Sequence, residues 1–198
     1  KAKRGMINSV LTACMPTGSV AQILNNSPCF EPYESNIYRY SAYATDLIII
    51  NKYLRRDLIK MGIIGGKKND DFMKLFVRKS GRLTDINLLA YMDDYGEYKI
   101  SENPDPQKYQ YMKDYCDMIK KIYRCAAFEI SPYEIIDMAA AAQPYIDQSQ
   151  SMNLWVPKIS INTFNIYNYA RKRGLKTLCY YIKTNTETKE EICENCAI

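Results

Sequence analysis

Thr17, Gly18, Ser19 and Val20 have residue types and spacing that could bind a phosphate group. They follow a predicted buried strand over residues 7–11, and Ser19 with the glutamine three residues later fits a capping box that begins a short helix. Free N–H groups and the positive end of the helix dipole would then point at one spot, with hydroxyl groups as further donors. An ordinary capped helix after a turn is the alternative, since the Walker and Rossmann glycine spacings are absent.

Cys193 and Cys196 form a C-x-x-C pair in a polar, acidic stretch over residues 185–198. Such a stretch is typical of a mobile tail. Two cysteines at this spacing can form a disulfide and exchange it with another thiol pair. A zinc half-site is the alternative, but a second C-x-x-C and any histidine are missing from the sequence.

Tyr180 and Tyr181 are adjacent phenols within a predicted strand over residues 175–184. Because the chain has 18 tyrosines, adjacent pairs also arise by chance. In a regular strand the two rings would pack on opposite faces. The pair therefore carries no functional signal without its sequence context, and stacking the rings would require a local distortion of the strand.

The composition excludes several classes of function. Without histidine, Ser-His-Asp and Cys-His triads and histidine-ligated metals are impossible. The net charge of +5 comes from scattered basic residues, which is typical of a solvated surface rather than a nucleic-acid site. No apolar run is long enough to span a membrane, and no signal peptide is present. We therefore expect neither a nucleic-acid nor a membrane partner.

The 198 residues could form one domain with a sizeable core. The sequence begins with Lys1 rather than Met, which suggests a fragment or a processed piece. Seven cysteines without the spacing of a secreted domain favour reduced thiols in the cytoplasm. Five of these cysteines are interpreted as packing residues: Cys14, Cys29, Cys116, Cys125 and Cys179.

Strands and helices are predicted along the whole chain. Strand patterns cover residues 35–40, 45–50, 152–156 and 175–184. Helices are predicted over residues 52–61 after a cap at Asn51, over 71–79, from about 104 to 123, over 131–142, and from a cap at Asn162 or Thr163 to Arg173. Helical spacing predicts the buried residues Leu54, Leu58, Met61, Tyr109, Met112, Tyr115, Cys116, Ile119, Ile122, Tyr123, Ile135, Ile136, Met138 and Ala139.

Four stretches resemble the large subunit of class I ribonucleotide reductase. Residues 15–23 are similar to the family's M-P-T-A-S-T-A-Q-I, and residues 31–38 to E-P-Y-T-S-N-I-Y. Residues 145–153 resemble F-I-D-Q-S-Q-S-L-N almost residue for residue, and residues 174–184 resemble G-L-K-T-G-M-Y-Y-L-R-T. The resemblance covers residues 6–64 and about 119–198.

This resemblance implies an α/β fold, the C-terminal half of a ten-stranded α/β barrel of the ribonucleotide reductase type. Residues 1–184 would form the half-barrel, with residues 65–103 as a lineage-specific surface insertion, and residues 185–198 a flexible redox tail. The implied activity is the radical reduction of ribonucleoside diphosphates to 2′-deoxyribonucleoside diphosphates for DNA synthesis. Open strand edges and an apolar face would make the isolated piece poorly soluble.

The resemblance also implies roles for the residues introduced above. Thr17, Gly18, Ser19 and Val20 would hold the substrate phosphates, although Gly18 and Val20 replace the usual Ala and Thr and remove one hydroxyl. The tyrosine pair would pass a radical from the small subunit to an active-site cysteine. The tail dithiol would reduce the active-site disulfide and be reduced by thioredoxin or glutaredoxin. The 11 residues between Tyr181 and the first tail cysteine reach about 40 Å at most, which is short for this role.

Several of the family's elements have no counterpart in the sequence. These are the catalytic N-x-C-x-E loop, the cysteines of the active-site disulfide, the specificity-site helices and the ATP cone. We therefore expect an inactive segment that needs the missing N-terminal part of the large subunit and the small subunit. The segment itself is expected to bind no metal or cofactor, since the family's metal and radical cofactor lies in the small subunit and its ATP and dNTP effectors bind elsewhere.

Two other functions stay open. A non-catalytic phosphate-binding remnant is disfavoured because the tyrosine pair and the tail dithiol are both retained. A thiol-redox interaction module is disfavoured because the C-x-x-C pair lacks a strand and helix on its two sides.

Overall fold

The computed structural model describes residues 9–42, 45–92 and 105–184. The tail, with Cys193 and Cys196, lies outside the described residues, as do the first residues of the predicted strand over 7–11. The helices are α1 (Gly18–Leu24), α2 (Lys52–Lys60), α3 (Asn69–Arg78), α4 (Pro106–Ile122), α5 (Pro132–Ala142) and α6 (Ile161–Lys172), with 3-10 turns at Leu88–Tyr91 and Gln143–Tyr145. The strands are β1 (Ile37–Ala42), β2 (Thr45–Ile50), β3 (Asn153–Val156) and β4 (Tyr181–Thr184).

The four strands form two separate pairs. β1 and β2 are antiparallel, with Ile37 opposite Ile50 and Ala42 opposite Thr45. β3 and β4 are parallel, with Asn153 opposite Tyr181, and α6 lies between them in the chain. The predicted strand over residues 175–184 is correct only for its last four residues. The predicted strand over 7–11 is wrong in its described part, since the first strand-like pairing is a single bridge from Cys14 to Gln150.

The first core is built around α2. The side chain of Asn51 accepts hydrogen bonds from the backbone N–H groups of Tyr53 and Leu54, which caps the helix as predicted. The predicted apolar face is fully buried. Its members are Leu54, Leu58 and Met61.

Residues 65–92 belong to this first core and not to a surface insertion. Phe72 and Phe76 of α3 are fully buried and stack on each other, and Leu83 is buried beside them. Gly81 lets this segment lie against β1, because its φ is 76° and an added Cβ would stand 2.8 Å from the backbone nitrogen of Ile37. Apolar side chains have lower free energy in the core than in water, which is why the expected surface position is wrong for residues 65–92, while residues 93–103 of that prediction lie outside the described residues.

In α4 and α5, the residues that were predicted to be buried are buried only in the central turns of each helix. Met112, Cys116 and Ile119 are buried, but Tyr109 is 45% and Ile122 61% exposed, because they lie near the two ends of α4. Met138 of α5 is also exposed, at 40%, since it lies opposite the buried Ile136 on the helix.

The second core joins α5, β3, α6 and the residues before β4. Leu154 is fully buried there, in the same cluster as Ile136 and Ala139 of α5 and Ile166 of α6. The cap of α6 is Ser160, which forms a capping box with Thr163, so the predicted cap at Asn162 or Thr163 is wrong. No helix in the described ranges is long and apolar enough to cross a membrane.

Candidate functional site

The predicted phosphate-binding loop is an exposed helix start. Thr17 has a left-handed backbone (φ 45°), so α1 begins at Gly18, and the predicted capping box at Ser19 does not form. The Thr17 hydroxyl instead accepts a hydrogen bond from the backbone N–H of Cys29 at 3.0 Å. The N–H groups of the first helical turn have no acceptor within the helix. All four predicted residues are exposed, and an added Cβ at Gly18 would meet nothing within 4 Å.

The segment leading into this loop is held by the motif at residues 145–153. The Asp147 carboxylate accepts hydrogen bonds from the backbone N–H groups of Leu11 (2.8 Å) and Thr12 (3.2 Å). In return the Thr12 carbonyl accepts from the N–H of Gln148 at 3.0 Å. These donors to its charged form lower the pKa of Asp147. Residues 145–153, which have the most specific resemblance to the reductase family, therefore hold the segment before the loop in place.

The segment that follows the loop contains a buried carboxyl group. Glu31 is only 4% exposed and accepts hydrogen bonds from the backbone N–H of Asn153 and from its Nδ2 at 3.2 Å. Burial raises the pKa of Glu31 to about 7. Sequence reasoning did not single out this residue. A weak signal was available, because Glu31 stands between Phe30 and Pro32, in apolar surroundings.

The two tyrosines are in contact. Their ring centroids are 4.3 Å apart at an interplanar angle of 69°, an edge-to-face arrangement, and each side chain is 55% exposed. β4 begins only at Tyr181, while the N–H of Tyr180 donates to the Met152 carbonyl at 2.6 Å. This departure from a regular strand allows both rings to share one side. A hydrogen bond to Tyr181 raises the pKa of the Tyr180 phenol.

The loop and the tyrosine pair are not in direct contact. In residues 9–42 and 105–184, no hydrogen bond or ring contact joins residues 17–20 to Tyr180 or Tyr181. The connection runs through Cys29, Glu31 and β3.

Five other cysteines were predicted to be packing residues, and two of them are buried. Cys116 and Cys125 are buried, whereas Cys14, Cys29 and Cys179 are only half-buried. Burial raises the pKa of the Cys29 thiol to about 11, so its reactive thiolate form is disfavoured. Within the part of the chain that the structure describes, no three His, Cys, Asp or Glu residues could together hold a metal ion.

Comparison with known proteins identifies the family. The family model described as "Ribonucleotide reductase, barrel domain" matches residues 1–181, a range that runs through residues 65–103. The chain is 35% identical to the ribonucleoside-diphosphate reductase large subunit of Acanthamoeba polyphaga mimivirus, over 91% of this chain and 17% of that protein. It is 33% identical to the large subunit of Arabidopsis thaliana, over 92% of this chain and 19% of that protein.

A solved structure supports the fold. The class Id ribonucleotide reductase alpha subunit of Actinobacillus ureae superposes with a TM-score of 0.58 over 85% of this chain and 25% of that chain, at 24% identity. The present chain thus spans less than a fifth of the length of the two curated relatives above. The predicted fold class, a mixed α/β segment of the reductase barrel, is confirmed. The chain belongs to the ribonucleotide reductase barrel-domain family, in which it corresponds to a C-terminal segment of the large subunit.

Proposed function

We propose that this chain is part of a ribonucleoside-diphosphate reductase, an oxidoreductase that converts ribonucleoside diphosphates to 2′-deoxyribonucleoside diphosphates by a radical mechanism. The observation that carries the proposal is the edge-to-face contact of Tyr180 and Tyr181 beside the β3–β4 pair, in a chain of this family. The missing part of the large subunit supplies the catalytic cysteine. The small subunit supplies the radical, with its own metal and radical cofactor.

The tyrosine pair moves one electron and one proton together. When the Tyr181 phenoxyl radical takes a hydrogen atom from the Tyr180 phenol, the O–H bond of Tyr180 breaks and that of Tyr181 forms. The products are the Tyr180 radical and neutral Tyr181, so charge is conserved. The edge-to-face contact of the two rings, with centroids 4.3 Å apart, favours this exchange. Because the raised pKa disfavours loss of the proton alone, the coupled transfer is the favoured step.

The loop at residues 17–20 binds the diphosphate of the substrate. The free N–H groups of the first turn of α1 and the Ser19 hydroxyl are the donors, and the helix dipole adds a favourable field. The Thr17 hydroxyl accepts from Cys29 but keeps its own hydrogen for a phosphate oxygen. Asp147 holds the segment before this loop and Cys29 binds the loop's first residue, Thr17, so that the donors are oriented before the substrate binds.

Cys193 and Cys196 restore the enzyme after each turnover. Their two thiols exchange with the active-site disulfide, which returns that site to two thiols and leaves a disulfide in the tail. Thioredoxin or glutaredoxin then reduces the tail in the same way. β4 ends at Thr184, so Cys193 can extend about 30 Å beyond the strand.

The test is reconstitution. The chain is mixed with a large-subunit polypeptide that carries the N-x-C-x-E loop and with the small subunit, and the reduction of CDP is measured. We expect activity only in the complete mixture. Tyr180→Phe and Tyr181→Phe should each reduce it to background, because phenylalanine has no phenolic hydrogen. The matched control is Tyr111→Phe on α4, which is 58% exposed and should retain full activity.

Two outcomes contradict the proposal. If the complete mixture is inactive while all three parts bind one another, the chain is a non-catalytic remnant. If both phenylalanine variants retain activity, the tyrosine pair does not carry the radical.

A further inference from the structure

Two carboxyl groups of one short segment bind the β3–β4 pair. Glu31 accepts hydrogen bonds from the backbone and side chain of Asn153, the residue opposite Tyr181 in the sheet. Glu34 accepts from the indole N–H of Trp155 at 3.3 Å and from Nζ of Lys183 at 2.8 Å. Because Trp155 and Lys183 are also opposite each other, the two carboxyl groups bind the same sheet two residues apart.

The environments of these two groups differ. The Glu34 side chain is 51% exposed and faces a cation. Glu31 is buried, and its hydrogen bonds come from neutral amides. The charged groups that act on it are Lys183, which lowers its pKa, and Glu34, which raises it, but both effects are smaller than that of burial.

The contact between Glu31 and Asn153 can exist in two forms. With Glu31 ionised, Nδ2 of Asn153 donates to it, and the buried Oδ1 of Asn153 has no hydrogen-bond partner in the described part of the chain. With Glu31 protonated, its O–H can donate to Oδ1 after the amide turns over. The two forms satisfy different atoms, and an unsatisfied buried oxygen costs about 1–3 kcal/mol.

One peptide group connects Glu31 to Tyr180. The peptide between Met152 and Asn153 donates its N–H to Glu31 and accepts the N–H of Tyr180 through its carbonyl. Since a peptide group is planar and rigid, a movement of the Glu31 carboxyl tilts the carbonyl that holds Tyr180. The same carboxyl also acts on Asn153, which pairs with Tyr181.

We propose that Glu31 is a positioning residue for the tyrosine pair, and that its carboxyl sets the orientation of the Met152–Asn153 peptide and thereby the contact of the two rings. The consequence for radical transfer rests on the proposed function. The contact itself does not depend on it. Glu31 also stands two residues after Cys29, which binds the loop at Thr17, so one segment reaches both parts of the site.

The test measures ring geometry without turnover. 4-Fluorophenylalanine replaces Tyr181 in the 198-residue chain, and its fluorine resonance is followed by NMR from pH 5 to 8.5. This label does not titrate, and even the ordinary pKa of a tyrosine phenol, about 10, lies above the range, so a pH-dependent shift reports a neighbouring group. We expect one transition near pH 7 in the parent chain and a constant resonance in Glu31→Gln.

Glu34→Gln is the matched control in the same segment. It should retain the transition, at a somewhat lower pH, because the Glu34 charge raises the pKa of Glu31. A transition that persists unchanged in Glu31→Gln overturns the proposal, as does a parent resonance that is constant from pH 5 to 8.5. The second result needs no variant, so the proposal can be overturned even if Glu31→Gln does not fold.

The reconstitution assay and the NMR titration can fail independently. Loss of the transition in Glu31→Gln with fully active tyrosine variants would support the positioning contact and reject the radical role. Inactive tyrosine variants with an unchanged transition would support the radical role and reject Glu31.

Discussion

Two acidic residues flank the candidate loop in space, and each binds backbone N–H groups from a distant part of the chain. Asp147 binds Leu11 and Thr12 before the loop, and Glu31, after the loop, binds Asn153. The hydrogen bonds are of the same type, but the pKa of Asp147 is lowered and that of Glu31 is raised to about 7. Asp147 keeps its contact with water, while Glu31 is 4% exposed. Desolvation, and not the number of donors, therefore decides the sign of the shift.

The largest effect should follow removal of the buried carboxyl. Glu31→Ala leaves the N–H and the amide of Asn153 buried without an acceptor, so the free energy of unfolding at pH 5 should fall by about 2–4 kcal/mol. Urea unfolding monitored by circular dichroism measures it. The control is Glu34→Ala, whose exposed ion pair should contribute about 0–1 kcal/mol. Equal losses in the two variants would show that burial does not distinguish these groups.

The next effect is the pH dependence of stability. The pKa of Glu31 rises from its usual 4.5 to about 7 on folding, so its stabilising contribution is present below pH 4.5 and is lost as the pH rises through 7. Between pH 5 and 8 the parent chain should lose about 2 kcal/mol of unfolding free energy that Glu31→Gln does not lose. Parallel urea titrations at both pH values give the difference. The same slope in both proteins would mean that Glu31 is ionised in the folded state throughout this range.

Asp147 should act in a different pH range. Its folded pKa is lowered, so its contribution is present above its usual value of 3.8 and is lost as the pH falls below it. Asp147→Asn should therefore leave the pH dependence between 5 and 8 unchanged. It should also speed hydrogen exchange at the Leu11 and Thr12 amides, which lose a charged acceptor. Unchanged exchange at these two amides would contradict the role given to the Asp147 carboxylate.

The smallest effect concerns the exposed tyrosines. The side chain of Tyr180 is exposed, and its interaction with Tyr181 raises the pKa of its phenol. Removing the Tyr181 hydroxyl should therefore return the pKa of Tyr180 to the ordinary value of a tyrosine. Tyr181→Phe should lower the pKa of Tyr180, measured by the ultraviolet absorbance of the phenolate. Tyr167→Phe is the control, because its phenol contacts Cys179 rather than the pair. A pKa of Tyr180 that does not change in Tyr181→Phe would exclude the hydrogen bond between the phenols.

Short-range features were predictable from the sequence. Asn51 caps α2 and the apolar face of this helix is buried, because capping and helical periodicity depend on neighbours within about one or two turns. The strands over residues 45–50 and 152–156 were also correct to within one residue. The start of α1 was not predicted correctly. Thr17 there has a left-handed backbone, and its side chain accepts a hydrogen bond from Cys29, twelve residues away.

The family and the mixed α/β fold were determined by the sequence alone, because residue types and spacing carry that information, and the roles of the loop and the tyrosine pair stay predictions from the same residues. Only the tertiary structure decided that residues 65–92 enter the first core, that Tyr180 precedes the regular strand, and that Glu31 binds Asn153 while Asp147 binds Leu11. The hydrogen bonds of these two carboxyl groups join residues 122 and 136 positions apart. Burial and pairing over such separations depend on how the whole chain packs, so no local pattern could reveal that Glu31 is desolvated and Asp147 is not.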